Sequence, residues 1–266
     1  MLRKQAMFDE TRLNRIRIWM DRYVDQRKYA GSSFLLKHKG DEVFFHSSGL
    51  RNLEEALPFQ RDTLARIYSM TKPVTSVALM MLAERGLFHL DAPLSDFLPE
   101  FKQMQALVPG AERLDQTEDA APPTLHQLLT HTSGLSYPFN PGILPDAMDE
   151  KGLIFKPDQG PLKDRVRDLA ELPLAFQPGT RWEYSVGTDV LGRVVEVVSG
   201  QTLEEFFRQE ILAPLEMRET GFSVPAGAGD RFAALDTPLA GDAMALNSAE
   251  QGGDTLRLVD AHETSP

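Results

Sequence analysis

The sequence predicts a mixed α/β fold, an α+β sandwich in which a largely helical domain accompanies an incomplete antiparallel sheet. Three observations lead there. Two strongly apolar helical stretches, residues 66–82 and 189–198, demand a core of their own. Two β-like runs flank the turn Lys39-Gly40-Asp41 and read as a hairpin. A long amphipathic helix over residues 9–28 needs a flat surface to pack on, yet two strands are too few to be stable alone.

Along the chain, Leu13, Ile16, Met20, Tyr23 and Val24 recur at helical spacing in the first helix. Strands are predicted over residues 31–37 and 42–47. The consecutive Phe34, Leu35 and Leu36 suggest a strand covered on both faces. Residues 50–65 read as irregular. The apolar helix that follows carries Ser69 at its opening, Lys72 one turn on and Pro73 in its first turn, where a missing N–H costs little; Gly86 ends it. Met70, Met80 and Met81 read as core filler. A turn-rich connector with a short helix follows, and residues 109–123 read as a surface loop. Thr124 and Gln127 have capping-box spacing for a short helix through Leu129, and His131 to Leu135 is a turn. Residues 136–161, with five prolines, predict a long irregular excursion of the kind that walls a pocket, with Tyr137, Phe139 and Phe155 as candidate acyl-pocket residues. Helices are predicted over 162–172, over 189–198 before Gly200, and from the capping box Thr202/Glu205 to about Leu212. Beyond Phe222 the pattern fades, apart from Leu256-Arg257-Leu258-Val259.

With 266 residues, 42% hydrophobic and 25% charged, the composition is that of an ordinary globular chain. A net charge of −11 argues against a nucleic-acid surface. The absence of cysteine excludes disulfides and thiolate metal sites. No apolar run approaches a membrane span and the first residues lack a signal-peptide core, so a cytoplasmic protein with no membrane partner is expected. His126 and His131 are five apart without a carboxylate motif, so no metal is expected. No Gly-x-Gly-x-x-Gly, P-loop or Gly-x-Ser-x-Gly occurs, so no cofactor and no nucleophile elbow is expected either.

Ser69 and Lys72 lie three apart, on one helical face. A serine hydroxyl needs a base to become a nucleophile, and a lysine beside it is one recognised solution. The helix N-terminus favours developing negative charge, and the Ser69 N–H can serve an oxyanion. A structural cap beside a surface lysine explains the same spacing. Tyr184, in a short polar segment after Gly179, can relay protons near an ammonium or simply pack its ring.

Three motifs in order, Ser69-Met70-Thr71-Lys72, Leu128 to Leu135 (Leu-Leu-Thr-His-Thr-Ser-Gly-Leu) and Pro178 to Ser185 (Pro-Gly-Thr-Arg-Trp-Glu-Tyr-Ser), resemble the serine β-lactamase-related superfamily. Within it, the chain is most similar to the class C β-lactamase-like esterases, or family VIII carboxylesterases, over residues 10–222. The resemblance implies a β-lactamase/transpeptidase-like fold and a small-molecule ester as substrate. Ser69 would be the acylated nucleophile, with Lys72 and Tyr184 activating it and shuttling protons. Where penicillin-recognising members carry Tyr-x-Asn this chain has Tyr184-Ser185-Val186; a valine at the substrate cannot bond a lactam side-chain amide, which favours esters.

Members of the family continue with a Gly-rich segment, three more strands and a final helix, one strand carrying a third motif and an oxyanion donor. The resemblance therefore implies residues 1–66 as an N-terminal helix and hairpin, 67–222 as a mainly helical domain bearing Ser-x-x-Lys and the Tyr184 triplet, and 223–266 as an irregular segment leading to a missing C-terminal part. One lost oxyanion donor costs on the order of 100- to 1,000-fold in rate, so the chain by itself is expected to be weak or inactive and its full-length parent an esterase. The alternatives are a penicillin-binding or D-amino-acid peptidase or β-lactamase relative, and a non-catalytic binding module. Oligomeric state is not legible.

Overall fold

In a computed structural model the described residues are 8–153, 160–237 and 256–257. They form two compact units, one from the chain up to Arg66 together with residues from Ser223 onward, the other from Ile67 to Phe222.

In the first unit the Asp9 carboxylate accepts from the N–H groups of Thr11 and Arg12 and so starts helix α1 (Glu10–Asp25). Strands β1 (Gly31–His38), β2 (Asp41–Asn52) and β3 (Leu57–Pro58) form an antiparallel sheet in that order. The hairpin turn is Lys39-Gly40, both with positive φ as a type I′ turn requires. Helix α1 lies on the β2 face that carries Phe44 and His46: Arg17 sits over the Phe44 ring and Asp21 bonds His46 at 2.7 Å. Covering of β1 on both faces is not observed. Leu35 is 47% exposed, because its face, shared with Phe45 under the Arg61 guanidinium, holds no helix among the described residues; Phe34, opposite His46 on the α1 face, is still 40% exposed.

Residues 230–234 are tied into this unit. Leu64 pairs with Phe232, Ala233 and Ala234 donate to Leu64 and Arg51 carbonyls, and the Arg51 guanidinium donates to the Asp230 and Pro58 carbonyls. A two-residue pair, β6 (Asp236–Thr237) with β7 (Leu256–Arg257), follows and takes in the start of the last apolar run.

The second unit is built on two packed helices, α2 (Thr71–Glu84) and α6 (Gly187–Ser199). Helix α2 buries one stripe, Thr75, Ala78, Leu79 and Leu82, at spacings i, i+3, i+4 and i+7. Val77 and Met80 on its other side are exposed, as is Met70, so of the three methionines only Met81 packs against the core. Helix α6 contributes Val190, Leu191, Val194 and Val195 and ends at left-handed Gly200.

Helices α3 (Leu125–Leu129), α5 (Leu162–Ala170) and α7 (Leu203–Phe206) surround this pair, α3 and α7 each opened by a complete capping box. A π-helical turn, Phe207–Leu212, continues α7. Two features differ from expectation. The 109–123 loop contains β5 (Thr117–Ala120), which pairs with β4 (Met104–Leu107). The 136–161 excursion contains helix α4 (Ile143–Glu150), whose Pro145 sits in the first turn and needs no N–H partner. Phe155 lies outside the described residues. No helix among the described residues is long and apolar enough to cross a membrane.

Candidate active site

Ser69 occupies the middle of a 3₁₀ turn, Tyr68–Met70, that runs into α2, and it is exposed. Tyr68 before it has φ +41°, a left-handed conformation that costs a non-glycine residue on the order of 1 kcal/mol and fixes how the serine is presented. Lys72 follows at i+3, and its Nζ donates to Ser69 Oγ at 3.3 Å.

The second wall comes from two segments far apart in sequence and joined through their backbones. After α3 the chain turns at His131, whose φ is +56°. The N–H groups of Ala175, Gly179, Glu183 and Val186 then donate to the carbonyls of Gly134, Thr132, His131 and Ser136. Gly134 is required where these segments meet: its φ is +86° and a Cβ there would stand 2.4 Å from the Phe176 carbonyl oxygen. Gly134→Ala is therefore expected to destabilise the protein by at least about 1–3 kcal/mol. An unchanged urea midpoint would contradict this account of the turn.

The backbone ladder delivers Tyr184, whose Oη shares a 2.8 Å hydrogen bond with Ser69 Oγ. Asn140 Nδ2 donates to the Tyr184 carbonyl at 2.9 Å and to Ser136 Oγ, fixing Tyr184 from behind. The His131 and Tyr137 rings pack against Tyr184 at 4.9 and 5.1 Å. The Ser185 N–H donates to His131 Nδ1, which places the neutral ring's proton on Nε2. His131 thus holds the turn, and burial, then the nearby Lys72 charge, lowers its pKa.

Electrostatics separate the two tyrosines. Burial alone would raise the Tyr184 pKa, but hydrogen bonding to Lys72 and Ser69 and the ammonium charge outweigh it, leaving the phenol below its ordinary value. Tyr137 is pushed far above the ordinary value, first by burial and then by the charges of Asp189 and Tyr184.

The structure brings Ser69, Lys72, Tyr184 and Tyr137 together. Tyr137, expected as pocket lining, instead accepts from Lys72 Nζ at 3.1 Å and donates to Asp189 at 3.3 Å. Phe139 stacks on Tyr137 at 4.7 Å and is 65% exposed, on the rim of the cluster. Val186 is a correction. It was expected to face substrate, but its side chain is 0% exposed within the core, because at Val186 (φ −68°, ψ 12°) the chain leaves the extended segment and turns into α6. Asp189, Asn140 and Ser136 were missed. Asp189 left little signal: α6 also carries Arg193 and Glu196, and an acid in the first turn of a helix is ordinary.

The Beta-lactamase family model matches residues 16–256. The chain belongs to the beta-lactamase family. Esterase EstB of Burkholderia gladioli is 37% identical over 204 residues, covering 76% of this chain and 49% of EstB. Lovastatin esterase of Penicillium rubens is 36% identical over 220 residues, covering 81% of this chain and 54% of that enzyme. The chain thus spans about half the length of these curated relatives. The solved structure of EstCE1, described as a hydrolase with promiscuous acyltransferase activity, superposes with a TM-score of 0.73 at 28% identity, covering 87% of this chain and 58% of that one. The fold is therefore β-lactamase/transpeptidase-like, and in this beta-lactamase family chain the 3₁₀ turn, the His131 turn and the Tyr184 segment converge within one unit.

Proposed function

We propose that the protein is a serine hydrolase of small carboxylic esters that works through an acyl-enzyme on Ser69. The observation that carries this reading is the 2.8 Å hydrogen bond between Ser69 Oγ and Tyr184 Oη beside the Lys72 ammonium. Tyr184, favoured as phenolate by that ammonium, takes the Ser69 proton as Oγ bonds to the ester carbonyl carbon. The proton then passes to the leaving alkoxide as its C–O bond breaks. Water resolves the acyl-enzyme by the same route in reverse, again giving its proton to Tyr184. Lys72 holds both oxygens and stabilises the phenolate.

The names of EstB and lovastatin esterase support esters as the substrate class. Transfer of the acyl group to an alcohol uses the same intermediate, and the description of EstCE1 favours it as a second outcome. Val186 does not contribute to the choice of ester over lactam, since it is buried.

The test needs only a nucleophile and its base, both in this chain. Incubation with a fluorophosphonate should add one adduct, located by mass spectrometry on the Ser69 peptide and absent from Ser69→Ala. Labelling by a penicillin instead would favour the penicillin-binding reading, and labelling by neither would favour a binding module.

A further inference from the structure

Lys72 stands between two phenols and a serine. Its Nζ donates to Ser69 Oγ at 3.3 Å and to Tyr137 Oη at 3.1 Å, and lies 4.9 Å from the Tyr184 ring centroid. An ammonium offers three N–H groups and no acceptor, so the direction in which it points is set by the acceptors around it. Tyr137 has one hydroxyl proton. That proton goes to Asp189 Oδ2 at 3.3 Å, so what faces Lys72 is the oxygen lone pair.

We propose that Asp189 and Tyr137 are positioning residues for Lys72: by accepting the Tyr137 proton, Asp189 turns the Tyr137 oxygen into a fixed acceptor that aims Nζ at Ser69 and Tyr184. The catalytic consequence rests on the reading of Ser69 as nucleophile; the geometry of the relay does not.

Three elements supply the relay. Lys72 comes from the first turn of α2, Asp189 from the first turn of α6, and Tyr137 from the segment after the His131 turn. The packed α2–α6 pair therefore fixes both ends, and Tyr137 bridges them. The electrostatics agree. One phenol beside the ammonium holds its proton far above its ordinary range and the other releases its proton below it, and such divergence separates an anchor from a proton carrier. Burial raises the Asp189 pKa, against the pull of Lys72, its own N–H and Tyr137. Keeping a carboxyl there works against stability, which a mere tie between turn and helix would not require.

The test uses the whole chain carrying isotope-labelled lysine, with two readouts: the Lys72 Nζ resonance, and the rate at which a fluorophosphonate labels Ser69. Tyr137→Phe and Asp189→Leu should each displace the resonance in the same direction and slow labelling roughly 10- to 100-fold. The double variant should be no slower than Tyr137→Phe alone, since both break one relay. Asp189→Asn keeps an acceptor oxygen and should stay within about threefold of the unaltered protein. Tyr137→Phe carries the test if the leucine variant fails to fold. An unmoved Lys72 resonance in Tyr137→Phe, or effects that add in the double variant, would overturn the proposal. If the resonance moves as expected while Ser69 takes no label even in the unaltered protein, the relay stands and the nucleophile reading falls.

Discussion

Tyr184→Phe is expected to slow acylation of Ser69 by about 100- to 10,000-fold, the range associated with losing a positioned general base. The variant keeps the ring that packs on His131 and Tyr137, and the backbone bonds that hold the segment do not involve the hydroxyl. Its folding stability should therefore change by no more than about 1 kcal/mol, the worth of one partly exposed hydrogen bond. Stopped-flow or quenched labelling with a fluorophosphonate, alongside a thermal melt, separates the two effects. A labelling rate within a few-fold of the unaltered protein would remove Tyr184 from the chemistry.

Replacing Lys72 by methionine has a different signature. In the native site burial pushes the Tyr184 pKa up, and hydrogen bonding to Lys72 and Ser69 together with the Lys72 charge brings it below the ordinary phenol value. With the phenolate as the proposed reacting form, the labelling rate of the native protein should climb with pH through an inflection below about 10. Lys72→Met removes the ammonium and leaves burial unopposed except by Ser69. The inflection must then move to higher pH, and the neutral-pH rate should fall by about 100-fold or more. A rate loss with the inflection unmoved would mean that Lys72 acts on something other than the Tyr184 proton.

How much of this was legible beforehand differs from residue to residue. The approach of Lys72 to Ser69 follows from i, i+3 spacing in a helix, a local property that any sequence carries openly. The capping boxes at Thr124 and Thr202 are local as well, and both form. The approach of Tyr184 to Ser69 is not local, and only the order of three motifs pointed to it. Strand β5 was hidden because Thr-Glu-Asp-Ala has little intrinsic strand preference and is held by its pairing with β4. Helix α4 was hidden because Pro145 reads as a breaker, although at the third helical position it breaks nothing. Val186 shows the same limit at the site. Which way it faces depends on the ladder that joins two distant segments, and no spacing within Tyr184-Ser185-Val186 reveals that. Asp189 was overlooked for a related reason, since an acid in the first turn of a helix is the ordinary complement to its dipole.

The ladder between the His131 turn and residues 175–186 is made of main-chain groups. The side chains at Thr180, Arg181 and Trp182 are exposed to solvent and are not what holds Tyr184 in place. Substitution at these three positions therefore leaves the main-chain ladder, and the tyrosine it carries, in place. Change on that exposed surface is thus uncoupled from the placement of the phenol beside Ser69.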